Sequence, residues 1–295
     1  MVKERETGIG DAVILTAESG GEITVLGAKG QPSRIAIPEM IDGFPVTTIA
    51  KKAFLGNKVL TEVSLPVTVR EIGDWAFAHC SSLYKLEMSS SDIHVGKDIC
   101  KGCKMLQVLD TGMGMETARL FAAVPVMLDA EYLFAPEEAG SAEWLAKWDD
   151  RMLTLLSRHD ESGFTRLVLC GEEDLLADLP TYVAKKRREK AEMCFLRLLN
   201  PIGLSEENEK RLREYLCTHT KGCDSEAAWE TLLLSHGDER AYYEEFMKTG
   251  CVTGENITDM LADMKDGHTE MKALLMRYQE EELGERDFFA SLSLD

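Results

Sequence analysis

The chain lacks a long apolar run: its longest, Leu120 to Leu128, lies between Arg119 and Asp129 and is broken by Pro125. That is far short of the roughly 20 residues a membrane-spanning helix requires, so no span is expected. Basic residues are scarce, with 33 Lys and Arg against 52 Asp and Glu, a net charge of −19. Phosphate recognition needs a basic footprint, and nucleic acid is therefore not expected as a partner. The apolar stretch Ala12 to Leu15 is too short for a secretory signal core. With that, the eight Cys are read as free thiols in a reducing cytoplasm. Also missing are a G-x-S-x-G elbow, a Walker loop, a G-x-G-x-x-G fingerprint and any H-x-x-x-H or H-E-x-x-H pair. No catalytic residue, metal or cofactor is expected, and the chain is read as a non-enzyme.

What is present is an ordinary globular composition, 44% hydrophobic and 29% charged over 295 residues, enough for about two domains. Aligned against itself, the chain repeats at an offset of 23 residues through three segments. Ile49, Ile72 and Val95 coincide, as do Ala53, Ala76 and Ile99, then Asn57, Cys80 and Cys103. Leu60, Leu83 and Leu106 follow, then Val63, Leu86 and Leu109, with Leu65 and Met88 closing the first two. One such coil cannot bury its own inward row, so neighbouring coils must stack into a solenoid. Each inward Leu, Val or Phe contributes roughly 1.5–3 kcal/mol on burial.

The segment Val69 to Met88, V-R-E-I-G-D-W-A-F-A-H-C-S-S-L-Y-K-L-E-M, resembles the BspA-like leucine-rich repeats of bacteria. Ile35 to Pro38 with Ile41-Asp42-Gly43-Phe44-Pro45-Val46 is similar to that family's insertion coil, and the resemblance covers about residues 33–110. The third coil departs from it: Cys100 stands where the repeat has Phe, and no Pro follows Leu109. Such a coil reads as the terminal one. Upstream, Ala12 to Thr16 and Glu22 to Leu26, joined by Glu18-Ser19-Gly20-Gly21, predict a β-hairpin that caps the first coil.

After about Gly114 the periodicity is helical, over Ala118 to Leu128, Ala142 to Arg158, Leu175 to Leu199, Glu206 to Thr218, Glu226 to Leu234, Arg240 to Lys248, Ile257 to Met264 and Thr269 to Glu282. Pro180 argues against the third as one helix, while Ser205 and Asp224-Ser225 supply helix starts. Spacings near 30, such as Gly237 to Gly267, describe a paired-helix array of ankyrin-like length, although the T-P-L-H element of ankyrin repeats is absent. The ending Glu270 to Tyr278 resembles a helical tail found with some bacterial leucine-rich repeats. The expected class is α+β: a leucine-rich-repeat domain with its hairpin cap at 1–112 and an acidic helical domain at 113–295. Residues 1–110 hold 12 basic and 14 acidic side chains, so nearly all the net negative charge falls in the helical part.

Strand alternation points to the binding residues. If Val63 and Leu65 face inward, Glu62 and Ser64 face outward, as do Lys85 and Glu87 in the next coil and Val108 and Asp110 in the last. Glu62, Ser64, Lys85, Glu87 and Asp110 form an acid-leaning sheet face, the surface on which repeat proteins bind partners. Other candidates have plainer explanations. Cys100 and Cys103 spell C-x-x-C but occupy repeat positions. His236 and His268 beside glycines are expected to hydrogen-bond loop backbone. Lys185 to Lys190 is expected to be a solvated or intramolecularly paired helix face. The leading expectation is a non-enzymatic protein-interaction module. An alternative is a ligand pocket at the domain junction using His159, Asp160 or Glu172 to Asp174. A third, surface adhesion, follows from secreted BspA-like relatives.

Overall fold

The computed structural model describes residues 3–9, 12–30, 32–165 and 178–284. The chain forms two compact units, Met1–Met152 and Leu153–Asp295. The first begins with strands β1 (Lys3–Ile9), β2 (Ala12–Ser19) and β3 (Glu22–Lys29), followed by β4 (Arg34–Ala36), β5 (Met40–Ile41) and β6 (Phe44–Ile49). Then come β7 (Glu62–Leu65), β8 (Glu71–Ile72), β9 (Lys85–Met88), β10 (His94–Val95) and β11 (Val108–Asp110). The coils stack two parallel ladders. In one, β4, β7, β9 and β11 align Ile35, Val63, Leu86 and Leu109; in the other, β6, β8 and β10 align Ile49, Ile72 and Val95. The 23-residue offset of the sequence is the pitch of this solenoid of about four turns.

The inward row is the core. Ile35, Val63, Leu86 and Leu109 are at most 4% exposed, and Leu60, Leu83 and Leu106 are buried beside them. Phe54 and Phe77 stack from one coil to the next, with centroids 5.4 Å apart and planes 3° from parallel. Between strands the coils pack backbone on backbone: a Cβ at Gly73 would meet the Lys51 nitrogen at 2.5 Å, and one at Gly96 the Asp74 nitrogen at 2.5 Å. This close approach is why glycine follows Ile72 and Val95 in the second and third coils.

The hairpin cap is present as β2 and β3, turned by Gly20 and Gly21 with positive φ, as a two-residue primed turn requires. Strand β3 runs parallel to β6 and extends that ladder. The cap has one strand more than the sequence suggests, because β1 pairs antiparallel with β2. After β11 come α1 (Met115–Ala123), one π-helical turn over Val124–Leu128, and α2 (Ala142–Ser157). Helix α1 packs against β11. Trp148 and Trp144 donate their indole N–H groups to the carbonyls of Leu120 (3.0 Å) and Leu133 (2.9 Å), so both rings are buried without an orphaned donor.

The second unit contains α3 (Leu179–Leu199), α4 (Glu206–Thr218), α5 (Ala227–Ser235), α6 (Arg240–Lys248), α7 (Ile257–Asp263) and α8 (Thr269–Tyr278). Leu175 to Ala177 lie outside the described residues. Pro180 does not break α3: it sits in the first turn, where no N–H is needed, and Asp178 caps the helix by accepting from the Thr181 N–H at 2.7 Å. Ser205 caps α4 as expected, whereas α5 starts from Glu226 without a side-chain cap of its own. Phe195, Trp229, Tyr243 and Phe246 centre the core of this unit. Among the described residues no helix is long and apolar enough to cross a membrane.

Candidate functional site

The outward row of the β4-β7-β9-β11 ladder consists of two columns set by strand register. Arg34, Glu62, Lys85 and Val108 align in one; Ala36, Ser64, Glu87 and Asp110 align in the other. Adjacent strands lie about 4.8 Å apart, so charged ends in one column meet directly. Arg34 pairs with Glu62 at 3.0 Å, and Lys85 pairs with Glu87 along β9. The hydrogen bond from Lys85 holds the Glu87 carboxyl below its ordinary range, and Ser64 adds a further hydrogen bond. In return, Glu87 first and then Glu62 and Asp110 hold the Lys85 amine above its ordinary value. Asp110 accepts the Gly112 N–H at 2.8 Å.

The five sequence-selected residues are therefore one contiguous patch of mixed charge, and Arg34 adds a second cation to it. Tyr84, 43% exposed, immediately precedes β9 in the chain. One neighbour is corrected: Val108 holds its outward register position but is only 4% exposed. Strand β11 is the strand against which α1 packs, so the uncovered part of this face is centred on β7 and β9.

The other candidates become structural. Cys80 and Cys103 point their thiols at the carbonyls of Phe54 and Phe77, both at 3.1 Å. Asn57, at the same repeat position, satisfies the turn instead by accepting from Val59 and Leu60. Cys100 lines a cavity of about 260 Å³ against the last coil, together with Ile99, Val124, Pro125 and Phe134 and the charged Lys97, Lys101, Asp129 and Glu131. This cavity lies where the terminal coil replaces Phe by a smaller side chain. Among the described residues no group of three or more His, Cys, Asp or Glu could hold a metal ion.

Asp160 is committed to ion pairs, with Arg187 at 2.7 Å and Lys190 at 2.6 Å. His159 is exposed. Glu172 to Asp174 lie outside the described residues. The basic run is paired within its own unit: Lys186 with Glu189, Arg187 and Lys190 with Asp160, and Arg188 with Glu230. The two histidines bind carboxylates rather than loop backbone. His236 lies 2.8 Å from Glu192 and 2.9 Å from Glu239 and stacks on Tyr242; His268 lies 3.0 Å from Asp238. Glu239 is three positions from His236, but Glu192 and Asp238 stand 44 and 30 positions from their His partners, too far for local reading.

Burial of His236 opposes its charged form, but the hydrogen bonds and charges of Glu192 and Glu239 outweigh it and raise its pKa above the ordinary value. Such a group adds stability below about pH 6.5 that is lost as pH rises through the folded value. Urea unfolding followed across that window should show the second unit weakening with rising pH, and His236→Gln should flatten the dependence. An unchanged slope in the variant would assign the effect to another group.

Residues 34–120 match the BspA type leucine-rich repeat region, in six copies. This part of the chain is similar to a BspA-type leucine-rich repeat region. A leucine-rich cell surface protein of Faecalibacterium prausnitzii is similar at 27% identity, over 36% of this chain and 30% of that one, with a TM-score of 0.32. A leucine-rich repeat protein of Bacteroides ovatus is similar at 28% identity, over 35% of this chain and 29% of that one, with a TM-score of 0.31. One from Bacteroides capillosus is similar at 25% identity, over 36% and 83%, with a TM-score of 0.31. The chain thus spans less than a third of the first two proteins' lengths. No curated protein matches it.

Proposed function

We propose that the chain is a non-enzymatic protein-interaction module that binds a protein partner through the outward face of β7 and β9. Repeat solenoids offer extended sheet surfaces of this kind to partners. The observation that carries the reading is the in-register patch of Glu62, Ser64, Lys85 and Glu87, bounded by Arg34 and Asp110 and flanked by the exposed Tyr84. Its charges neutralise one another locally, so the face can be desolvated with its ion pairs intact, and tyrosine is a residue type enriched where binding energy concentrates.

The variant Glu62→Ala/Lys85→Ala/Glu87→Ala tests this. These side chains are surface groups whose loss costs the fold about 1 kcal/mol or less. The triple variant should keep the wild-type circular dichroism and unfolding midpoint while its partner affinity falls at least tenfold. A variant that binds like wild type removes the face from the interaction.

A further inference from the structure

We propose that Cys217 and Cys251 are a thiol modification site that closes reversibly into a disulfide. Cys217 stands in the last turn of α4 and Cys251 directly after α6 and its Gly250, and their sulfurs lie 3.1 Å apart. A disulfide bond is about 2.05 Å long, so the sulfurs must close by about 1 Å. The surroundings distinguish the two thiols. Cys217 is half-buried, donates toward the Thr249 carbonyl at 3.4 Å and lies in the field of Arg213. Cys251 is buried and accepts from the Thr249 hydroxyl at 2.8 Å. The hydrogen bond from Cys251, with Arg213 and Thr249 assisting against burial, lowers the Cys217 thiol to about 7, whereas the Cys251 thiol is raised. Cys223 is the third sulfur here, with its thiol 3.5 Å from the Cys217 carbonyl.

These roles set the chemistry, since the thiolate is the attacking species and its access decides the rate. The oxidant is a low-molecular-weight disulfide. Cys217, having given its proton to solvent, attacks one sulfur of that disulfide, forms a mixed disulfide and releases one thiolate. Cys251 then gives its proton to the released thiolate and attacks the Cys217 sulfur, expelling the second thiolate. The protein loses two hydrogens and two electrons, and one small disulfide becomes two small thiols. Of the other described cysteines, Cys80 is pushed up to about 12 and Cys194 is raised, both by burial, while Cys100 and Cys103, whose side chains hydrogen-bond to each other, are both buried away from an attacking disulfide. The new bond would tie the end of α4 to the loop between α6 and α7.

The test uses the full reduced chain with glutathione disulfide as the probe, read by intact mass and peptide mapping. The wild type should lose two hydrogens, yield one peptide linking Cys217 to Cys251, and regain both thiols with dithiothreitol. Cys251→Ser should stop with one glutathione on Cys217, Cys217→Ser should form neither species, and Cys223→Ser should behave as wild type. The reaction rate should rise with pH with a midpoint near 7. A folded wild type that stays fully reduced, stops as a mixed disulfide, or links Cys223 instead overturns the proposal. Because the wild-type map decides this by itself, a variant that fails to fold leaves the test intact.

Discussion

Replacing Phe77 by alanine should lower the stability of the first unit by about 4 kcal/mol. Phe77 is fully buried, and its ring stacks face to face on Phe54 of the preceding coil. Truncation removes the transfer energy of a phenyl ring and leaves a cavity that the surrounding backbone cannot fill. That backbone is held from both sides: the Phe54 N–H donates to Ala76 at 2.7 Å, and the Phe77 N–H donates to Ile99 at 3.0 Å. The rigid ladder limits collapse into the void, which keeps the cost from falling to the lower end of the range for aromatic truncation. Denaturant unfolding of Phe77→Ala, with hydrogen exchange of the Val63 and Leu86 amides as a local readout, measures it. A loss below about 1 kcal/mol would mean that coil stacking is not what holds this unit together.

In the second unit the largest polar effect should come from Asp160. Its carboxylate receives Arg187 and Lys190, and the Lys190 side chain is only 10% exposed, with its ammonium also donating to the Arg158 carbonyl. Burial alone would raise the Asp160 pKa, but the hydrogen bonds from Arg187 and Lys190 outweigh it and lower it. Asp160→Ala therefore leaves a largely buried cation without its counter-charge and should cost about 2–3 kcal/mol, somewhat less than a fully buried pair. Removing both charges in Asp160→Ala/Lys190→Met should recover much of that loss, because the desolvation penalty disappears with the ammonium. The pH dependence has the opposite sign to that of His236. A carboxylate with a lowered folded pKa adds stability above about pH 4 that is lost as pH falls through the folded value. If the double variant is less stable than the single one, Lys190 contributes through its bond to Arg158 rather than through Asp160.

The solenoid was legible because its period is written in side chains that must point inward. The 23-residue offset aligns the same residues as the strand ladders, down to Val63, Leu86 and Leu109. Helix positions were legible for a similar reason, since apolar spacing and caps act within a few residues. What escaped was non-local or irregular. Strand β1, K-E-R-E-T-G-I, opens with four charged residues in succession and gives no apolar alternation. Arg34 joins the outward row only because the insertion coil places Ile35 beside Val63, 28 positions on, outside the 23-residue register. The cover over Val108 comes from a helix outside the repeat, and the Glu192 partner of His236 and the sulfur pair Cys217–Cys251 depend on helix packing that no local pattern encodes.

The most direct measurement of the central claim is site-specific photocrosslinking. A photoreactive amino acid is placed at Ser64 or Tyr84, on the proposed face, and separately at Glu71, on the other ladder. The account predicts one partner protein crosslinked from Ser64 and Tyr84, lost in the Glu62/Lys85/Glu87 alanine variant, and absent from Glu71. The same partner crosslinked from Glu71 and not from Ser64 or Tyr84 would contradict it.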